Sequence, residues 1–343
     1  MTDLWTKLKS SDKPIVLYGM GNGAQKLIDT LAKYGICVCG VFASDGFVRD
    51  KYFCGFKIKS YAQVRREFGD IIVLTAFGTC RAEVINNIKR ISGECELYAP
   101  DLPVYGDGIF DSAYFTKHRS ELEFVRSKLC DAKSRHVFDC IVNYKLSGDI
   151  GQLFECESER SEAFENILKL GRDEIFVDLG AYRGDTVLEF LKYAGGYKRI
   201  FAVEPDKKSY SKLIQNISGD NIFCLNAAIG SKTGVTDFEM NGGRNSHLSS
   251  NGTKVEALTV DGILNGAPAT YIKMDVEGAE SEAIKGAAQT IIEHKPRMRI
   301  AGYHRTEDIY AIVKQVLEIR DDYKVYMRHH PYIPAWDTDF YFI

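Results

Sequence analysis

Two stretches of the chain alternate short apolar runs with segments of helical spacing, and a stretch without such runs separates them. In the first, residues 14–18, 38–43 and 70–75 are the strand-like runs. Ala24, Leu27, Ile28 and Leu31 recur at helical spacing after the first run, as do Val84, Ile85, Ile88 and Ile91 after the third. Strands apolar at nearly every position are buried on both faces, which predicts a parallel sheet between helix layers. Between residues 101 and 170 the periodicity is helical, with stripes at Leu122, Val125 and Leu129, at Val137, Cys140, Ile141 and Tyr144, and at Phe164, Ile167 and Leu168. The last stretch offers strands at 174–179, 199–203, 222–228, 271–274, 298–301, 323–327 and 339–342, with helices between most of them. A turn-rich segment follows Gly230 and holds Asn241-Gly242-Gly243. Only a short loop with Pro331 and Pro334 joins the last two strands, so they are predicted to pair antiparallel. The pattern is α/β: a smaller Rossmann-like parallel domain over residues 1–100, a helical connector over 101–170, and a larger α/β domain over 171–343.

Composition narrows the classes. At 343 residues, with 45% hydrophobic and 27% charged, the chain has enough apolar surface for two or three folded domains. A net charge of −3 gives no overall basic footprint for nucleic acid. No apolar run approaches the roughly 20 residues that a bilayer crossing needs. The segment 1–9 has no signal-peptide apolar region. Nine cysteines without a CxxC pair are expected to be reduced and mostly buried, in a cytoplasmic protein without a zinc site.

The densest candidate chemistry is Val177-Asp178-Leu179-Gly180-Ala181-Tyr182-Arg183-Gly184-Asp185-Thr186. An apolar strand runs into a glycine turn, and a helix begins after Gly184. Gly180 lets backbone approach a ligand closely, and free N–H groups at the helix start suit an anionic group. Asp178 sits at the carboxyl end of its strand, where open α/β sheets bind ligands. Glu204 ends the next strand, 24 positions after Gly180, where an acid can bind both ribose hydroxyls. Asp275, in Lys273-Met274-Asp275-Val276-Glu277-Gly278-Ala279-Glu280, ends a third. Three acids around one mouth favour a cationic ligand, which points to S-adenosylmethionine rather than NAD.

These residues resemble the FkbM family of class I S-adenosylmethionine-dependent methyltransferases. The likeness continues through Asn226-Ala227-Ala228-Ile229-Gly230, Leu258-Thr259-Val260-Asp261, Ala283-Ile284-Lys285-Gly286-Ala287, Tyr303-His304 and Arg328-His329-His330. It covers residues 171–343 and implies a seven-stranded sheet with an antiparallel last strand, and O-methylation, often of a sugar or polyketide hydroxyl. By resemblance, Asp178, Gly180 and Ala181 line the methionine end of the cofactor, with Tyr182, Gly184, Asp185 and Thr186 nearby. Glu204 holds the ribose, Asn226 and Ala227 border the adenine, and Asp275 faces the reacting centre. Where relatives carry a Ser-Ser-Leu-like stretch, this chain reads Asn245-Ser246-His247-Leu248-Ser249. Asp275, His304 and His247 are the candidate bases for a hydroxyl proton. No metal ligand is assigned; a divalent metal held by Asp275, Glu277 and a histidine is the second route. Glu280 reads as a first-turn acid complementing a helix dipole, Asp261 as a turn or helix-start residue, and His329 and His330 as structural.

Gly19-Met20-Gly21-Asn22-Gly23-Ala24 fits a dinucleotide-type turn, with Asp45 loosely where a ribose acid would lie. It keeps an NAD(P)-dependent oxidoreductase or epimerase as one alternative, although no Tyr-x-x-x-Lys pair lies nearby. A non-catalytic cofactor-binding protein is another. The N-terminal domain then serves acceptor recognition or self-association into a homo-oligomer, and the acceptor is a small carbohydrate-like molecule.

Overall fold

The computed structural model describes residues 2–44, 46, 51–239, 247–248 and 253–343. The first sheet comprises β1 (Ile15–Tyr18), β2 (Val38–Ala43), β3 (Tyr52–Phe53), β4 (Phe56–Ser60), β5 (Ile72–Thr75) and β6 (Glu96–Tyr98), in the order β3-β4-β2-β1-β5-β6. All its pairings are parallel except the β3–β4 hairpin. β1 and β5 are buried at every position, as their uninterrupted apolar sequence requires. The helices 22–33 and 82–92 follow β1 and β5. Asp45 lies outside the described residues.

The glycine turn after β1 has packing reasons for two of its glycines. A Cβ on Gly19 would lie 2.2 Å from the Phe77 ring, and one on Gly23 would lie 2.8 Å from the Ala76 carbonyl oxygen. Phe77 also meets Tyr18 edge-on, with ring centroids 4.9 Å apart. The residues after β5 therefore fold back over the turn, and close packing alone accounts for Gly19 and Gly23.

Helices between Ser112 and Leu168 form the connecting layer, and a π-helical turn at Ala163–Leu168 ends it. Asp131 caps the longest of them, Ala132–Ser147, by accepting the Ser134 N–H at 2.6 Å, and Gly148 closes it in the left-handed region.

The second sheet has seven strands: β7 (Glu174–Leu179), β8 (Tyr197–Val203), β9 (Ile222–Leu225), β14 (Tyr271–Met274), β15 (Arg297–Ala301), β16 (Val325–His329) and β17 (Thr338–Phe342). Their order is β16-β17-β15-β14-β7-β8-β9. β17 is antiparallel to both neighbours, as the short loop before it predicts. Between β9 and β14, the short strands β10 (Ala228–Ile229), β11 (Gly234–Glu239), β12 (His247–Leu248) and β13 (Thr253–Leu258) form a small separate sheet. The expected single strand at 222–228 is instead two. Asn226 breaks it, its amide turning to the carbonyls of Glu204 and Pro205 at 2.8 and 3.0 Å.

The cysteines are free, but the expectation that most are buried is corrected. Cys37, Cys39, Cys54, Cys80 and Cys130 are exposed, and only Cys140 and Cys156 are buried. Cys39 lies at the exposed start of β2, before the strand enters the core.

Candidate active site

The carboxyl ends of β7, β8, β14 and β15 border a cavity of about 440 Å³. Three segments outside this sheet also reach its wall: Cys80 after β5, Val104, and Arg160 from the connecting helices.

One end is set by the turns after β7 and β8. Gly180 has φ +79°, and a Cβ there would lie 1.9 Å from the Asp275 carbonyl oxygen, so only glycine lets the ends of β7 and β14 meet this closely. The N–H groups of Gly180 and Ala181 donate to the Val203 carbonyl at 3.0 and 2.9 Å, which ties the turn to β8. Glu204 follows β8 and lines the cavity. Its Oε2 accepts the Tyr182 N–H at 2.8 Å and its Oε1 the Asp206 N–H at 2.9 Å. Burial pushes the Glu204 carboxyl up to about 7, against the downward pull of those two amides. Pro205, Ala227 and Ile229 supply an apolar wall beside it, while Asp185 and Thr186 open the helix 185–193 at the other side.

Along the floor, strand register sets charges in a row. β15, β14 and β7 place Arg299, Lys273 and Asp178 side by side. Asp178 is fully buried, and neither carboxylate oxygen has a hydrogen bond. Lys273 Nζ lies 3.3 Å from Asp178 Oδ1 and 3.7 Å from Asp275 Oδ2, and donates to the Gly180 carbonyl at 2.9 Å. Burial pushes Asp178 up to about 6, opposed by Lys273. Burial alone would lower the Lys273 ammonium, but Asp178 and Asp275 outweigh it and raise it.

The other end belongs to Asp275 and to Tyr303-His304 after β15. The Asp275 side chain is 34% exposed. Tyr303 Oη donates to its Oδ1 at 3.3 Å. His304 is buried, with Nδ1 2.9 Å from Glu280 Oε1 and Nε2 3.4 Å from Asp275 Oδ1 and 3.5 Å from Glu277 Oε2. Burial would lower the His304 imidazolium, but Glu280, Glu277 and Asp275 outweigh it and raise it to about 10. Burial would likewise raise Asp275, yet Lys273 and His304 hold it below the usual carboxylate value.

The mouth is rimmed by an ion network and an aromatic pair. Arg299 Nε binds Asp339 Oδ2 at 2.7 Å, and Glu189 receives Arg299 and Arg160 at 3.3 and 3.2 Å. Arg160 also pairs with Asp337. Tyr332 and Trp336 lie with ring centroids 5.9 Å apart. Thr79 and Ile333 exchange backbone hydrogen bonds at 2.7 and 2.9 Å, joining the segment after β5 to the β16–β17 loop.

Of the residues expected at the site, Gly180, Tyr182, Asp185, Thr186, Glu204, Ala227, Asp275 and His304 line the cavity. Asp178 and Ala181 are wholly buried and lie outside the lining. Asn226 is also outside the lining, and its amide donates to the carbonyls of Glu204 and Pro205. Gly184 instead packs tightly, its Cβ position only 2.2 Å from Ile217. His304 Nδ1 is held by Glu280, and its Nε2 faces Asp275 and Glu277. The side chain of His247 lies outside the described residues. Lys273 stands between two of the three acids and offsets their charge. Glu280, expected as a dipole partner, is 1% exposed and holds His304. Asp261 takes the amides of Gln289 and Thr290 at 3.0 and 2.8 Å, a structural role. His329 and His330 are buried on Thr338 and on Ser158 and Tyr341.

A seven-stranded sheet of this order, with a glycine turn after its central strand and acids at the neighbouring strand ends, defines a Rossmann-like methyltransferase fold. Residues 178–333 match the family model described as the methyltransferase FkbM domain. The whole chain is also similar to the methyltransferase FkbM of Methylobacillus flagellatus KT, at 22% identity and TM-score 0.75, over 99% of this chain and 92% of that one. Weaker likenesses include a precorrin-6y C5,15-methyltransferase of Geobacter metallireducens, at 12% identity and TM-score 0.35, over 53% of this chain and 84% of that one. Another is the Aeropyrum pernix fibrillarin, at 15% identity and TM-score 0.33, over 50% of this chain and 67% of that one. No curated protein sequence matches the chain. Among the described residues, no helix is long and apolar enough to cross a membrane.

Proposed function

We propose that the protein transfers the methyl group of S-adenosylmethionine to a hydroxyl oxygen of a sugar or a sugar-containing precursor. The observation that carries this reading is one cavity with Glu204 at one end and Asp275 at the other. The donor set fits the cofactor. The Glu204 carboxylate, already holding one amide on each oxygen, keeps lone pairs for a ribose diol. Pro205, Ala227 and Ile229 give an apolar slot for a flat base, and the Gly180 turn brings backbone to the cavity edge. When bound, the cofactor supplies a methyl carbon on a cationic sulfur.

The chain's own residues then orient the acceptor. Asp275 is the partly exposed carboxylate at the reacting end and takes the hydroxyl's proton; Tyr303 and Lys273 fix its two oxygens. Such a base contributes roughly 10²–10⁴-fold. The Tyr332–Trp336 pair at the mouth offers flat apolar faces beside the charged Arg160 and Asp337, a mixture suited to a polyhydroxylated ring.

The test is transfer of radiolabelled methyl to a panel of sugars and nucleotide sugars. Asp275→Asn is expected to lower turnover by roughly 10²-fold or more, with S-adenosylhomocysteine affinity changed far less. Donor binding without methylated product from any acceptor would favour a binding protein, and equal turnover in the variant would remove Asp275 from the base role.

A further inference from the structure

We propose that Asp275, Glu277 and His304 form a divalent-cation site at the reacting end of the cavity, open to an acceptor hydroxyl. Their ligand atoms lie within 4.8 Å of one another. The separations of His304 Nε2 from the two carboxylate oxygens, 3.4 and 3.5 Å, are informative. A charge-assisted N–H···O bond is about 2.7–2.9 Å long, so neither contact is a good hydrogen bond. Two ligands each about 2.1 Å from one cation stand about 3.0–3.4 Å apart at octahedral to tetrahedral angles. The observed spacing suits a shared ion better than a direct bond.

The imidazole is also oriented for such a role. Glu280, 1% exposed, accepts from Val276 N–H and bonds His304 Nδ1, both at 2.9 Å. That leaves Nε2 facing Asp275 and Glu277. A buried carboxylate on the far nitrogen is the usual support of a metal-bound histidine. The turn after β14 brings the two carboxylates together: Glu277 has φ +53° and Gly278 φ +90°. Arg305 Nε pins the Gly278 carbonyl at 2.8 Å, which holds that turn in place. Asp275 and Glu277 are 34% and 25% exposed, and both line the cavity, so coordination positions stay open on that side. A closed structural site would leave none. Two carboxylates balance the ion's charge, and an ion there lowers the pKa of a bound hydroxyl. One imidazole beside two carboxylates suits Mn²⁺ or Fe²⁺ better than a thiolate-preferring ion.

The role of the ion rests on the methyltransferase reading; its binding does not, so the two are tested apart. Mn²⁺ is the probe, added to the full chain and followed by electron paramagnetic resonance. One bound Mn²⁺ per chain is expected, with an electron spin-echo modulation from a coordinated imidazole nitrogen. Glu277→Gln is expected to weaken it roughly tenfold or more while S-adenosylhomocysteine affinity stays unchanged and circular dichroism shows the fold intact. His136, Cys140 and Glu155 form a second candidate group elsewhere. A signal unchanged by Glu277→Gln but lost in His136→Ala would assign the ion there and overturn the proposal. No Mn²⁺ bound at millimolar concentration, with S-adenosylhomocysteine still bound, would overturn the site and leave the methyltransferase reading standing. Mn²⁺ bound without any S-adenosylhomocysteine binding would do the reverse.

Discussion

Lys273→Met is expected to cost about 3–5 kcal/mol of folding stability, the range for removing one partner of a buried ion pair. The methionine stem replaces much of the lysine's volume, so packing loss is small. What it cannot replace is the charge between Asp178 and Asp275, or the hydrogen bond to the Gly180 carbonyl. Asp178 is the more sensitive to this loss in energetic terms, because it is fully buried with the Lys273 ammonium 3.3 Å away. Its folded-state pKa is already raised to about 6 by burial. An acid whose pKa is raised on folding loses native stability as pH climbs from its ordinary value of 3.8 to about 6, and without Lys273 that window extends to higher pH. The variant's deficit should therefore grow from pH 5 to pH 8. Urea denaturation with an unchanged slope measures it, and adding Asp178→Asn should restore at least half. A single variant as stable as the parent at pH 8 would show that the lysine does not neutralise this acid.

Glu204→Ala is expected to weaken S-adenosylhomocysteine binding roughly a hundredfold, about 3 kcal/mol. Hydrogen bonds to a charged group are worth about 1.5–3 kcal/mol each, and a ribose diol offers two. The Tyr182 and Asp206 amides also lose their acceptor, so the turn loosens along with the contact. The parent protein adds a pH signature. With the free carboxyl near 7, a ligand that donates to the ionised form binds more tightly as pH rises, by roughly tenfold between pH 6 and 8. Glu204→Gln should flatten that dependence. Calorimetry across this range checks both effects. Affinity unchanged in the alanine variant would place the ribose elsewhere.

The β7 turn, Glu204 and Asp275 were legible because strand, glycine and acid stand adjacent in sequence, and a strand's end fixes where the next residue lies. Lys273 was written in the same strand, but its partner is set by register with β7, which local pattern does not give. Glu280 read as a first-turn acid for the same reason: its partner His304 is 24 positions away. Arg160, Cys80 and Trp336 reach the cavity from segments that only tertiary docking brings together. β3 and β6 were missed because two- and three-residue strands carry too few positions for a period. The turn after β1 shows the opposite failing. Its glycines match a nucleotide fingerprint, yet Phe77 and the Ala76 carbonyl account for two of them by packing.

The most direct test is a crystal structure of the protein with S-adenosylhomocysteine. The expected density places both ribose hydroxyls on Glu204, the base against Ala227 and Ile229, and the sulfur facing Asp275. A ligand seated instead on the Gly19–Gly23 turn, or with its ribose away from Glu204, would contradict the assignment of this cavity to the methyl donor.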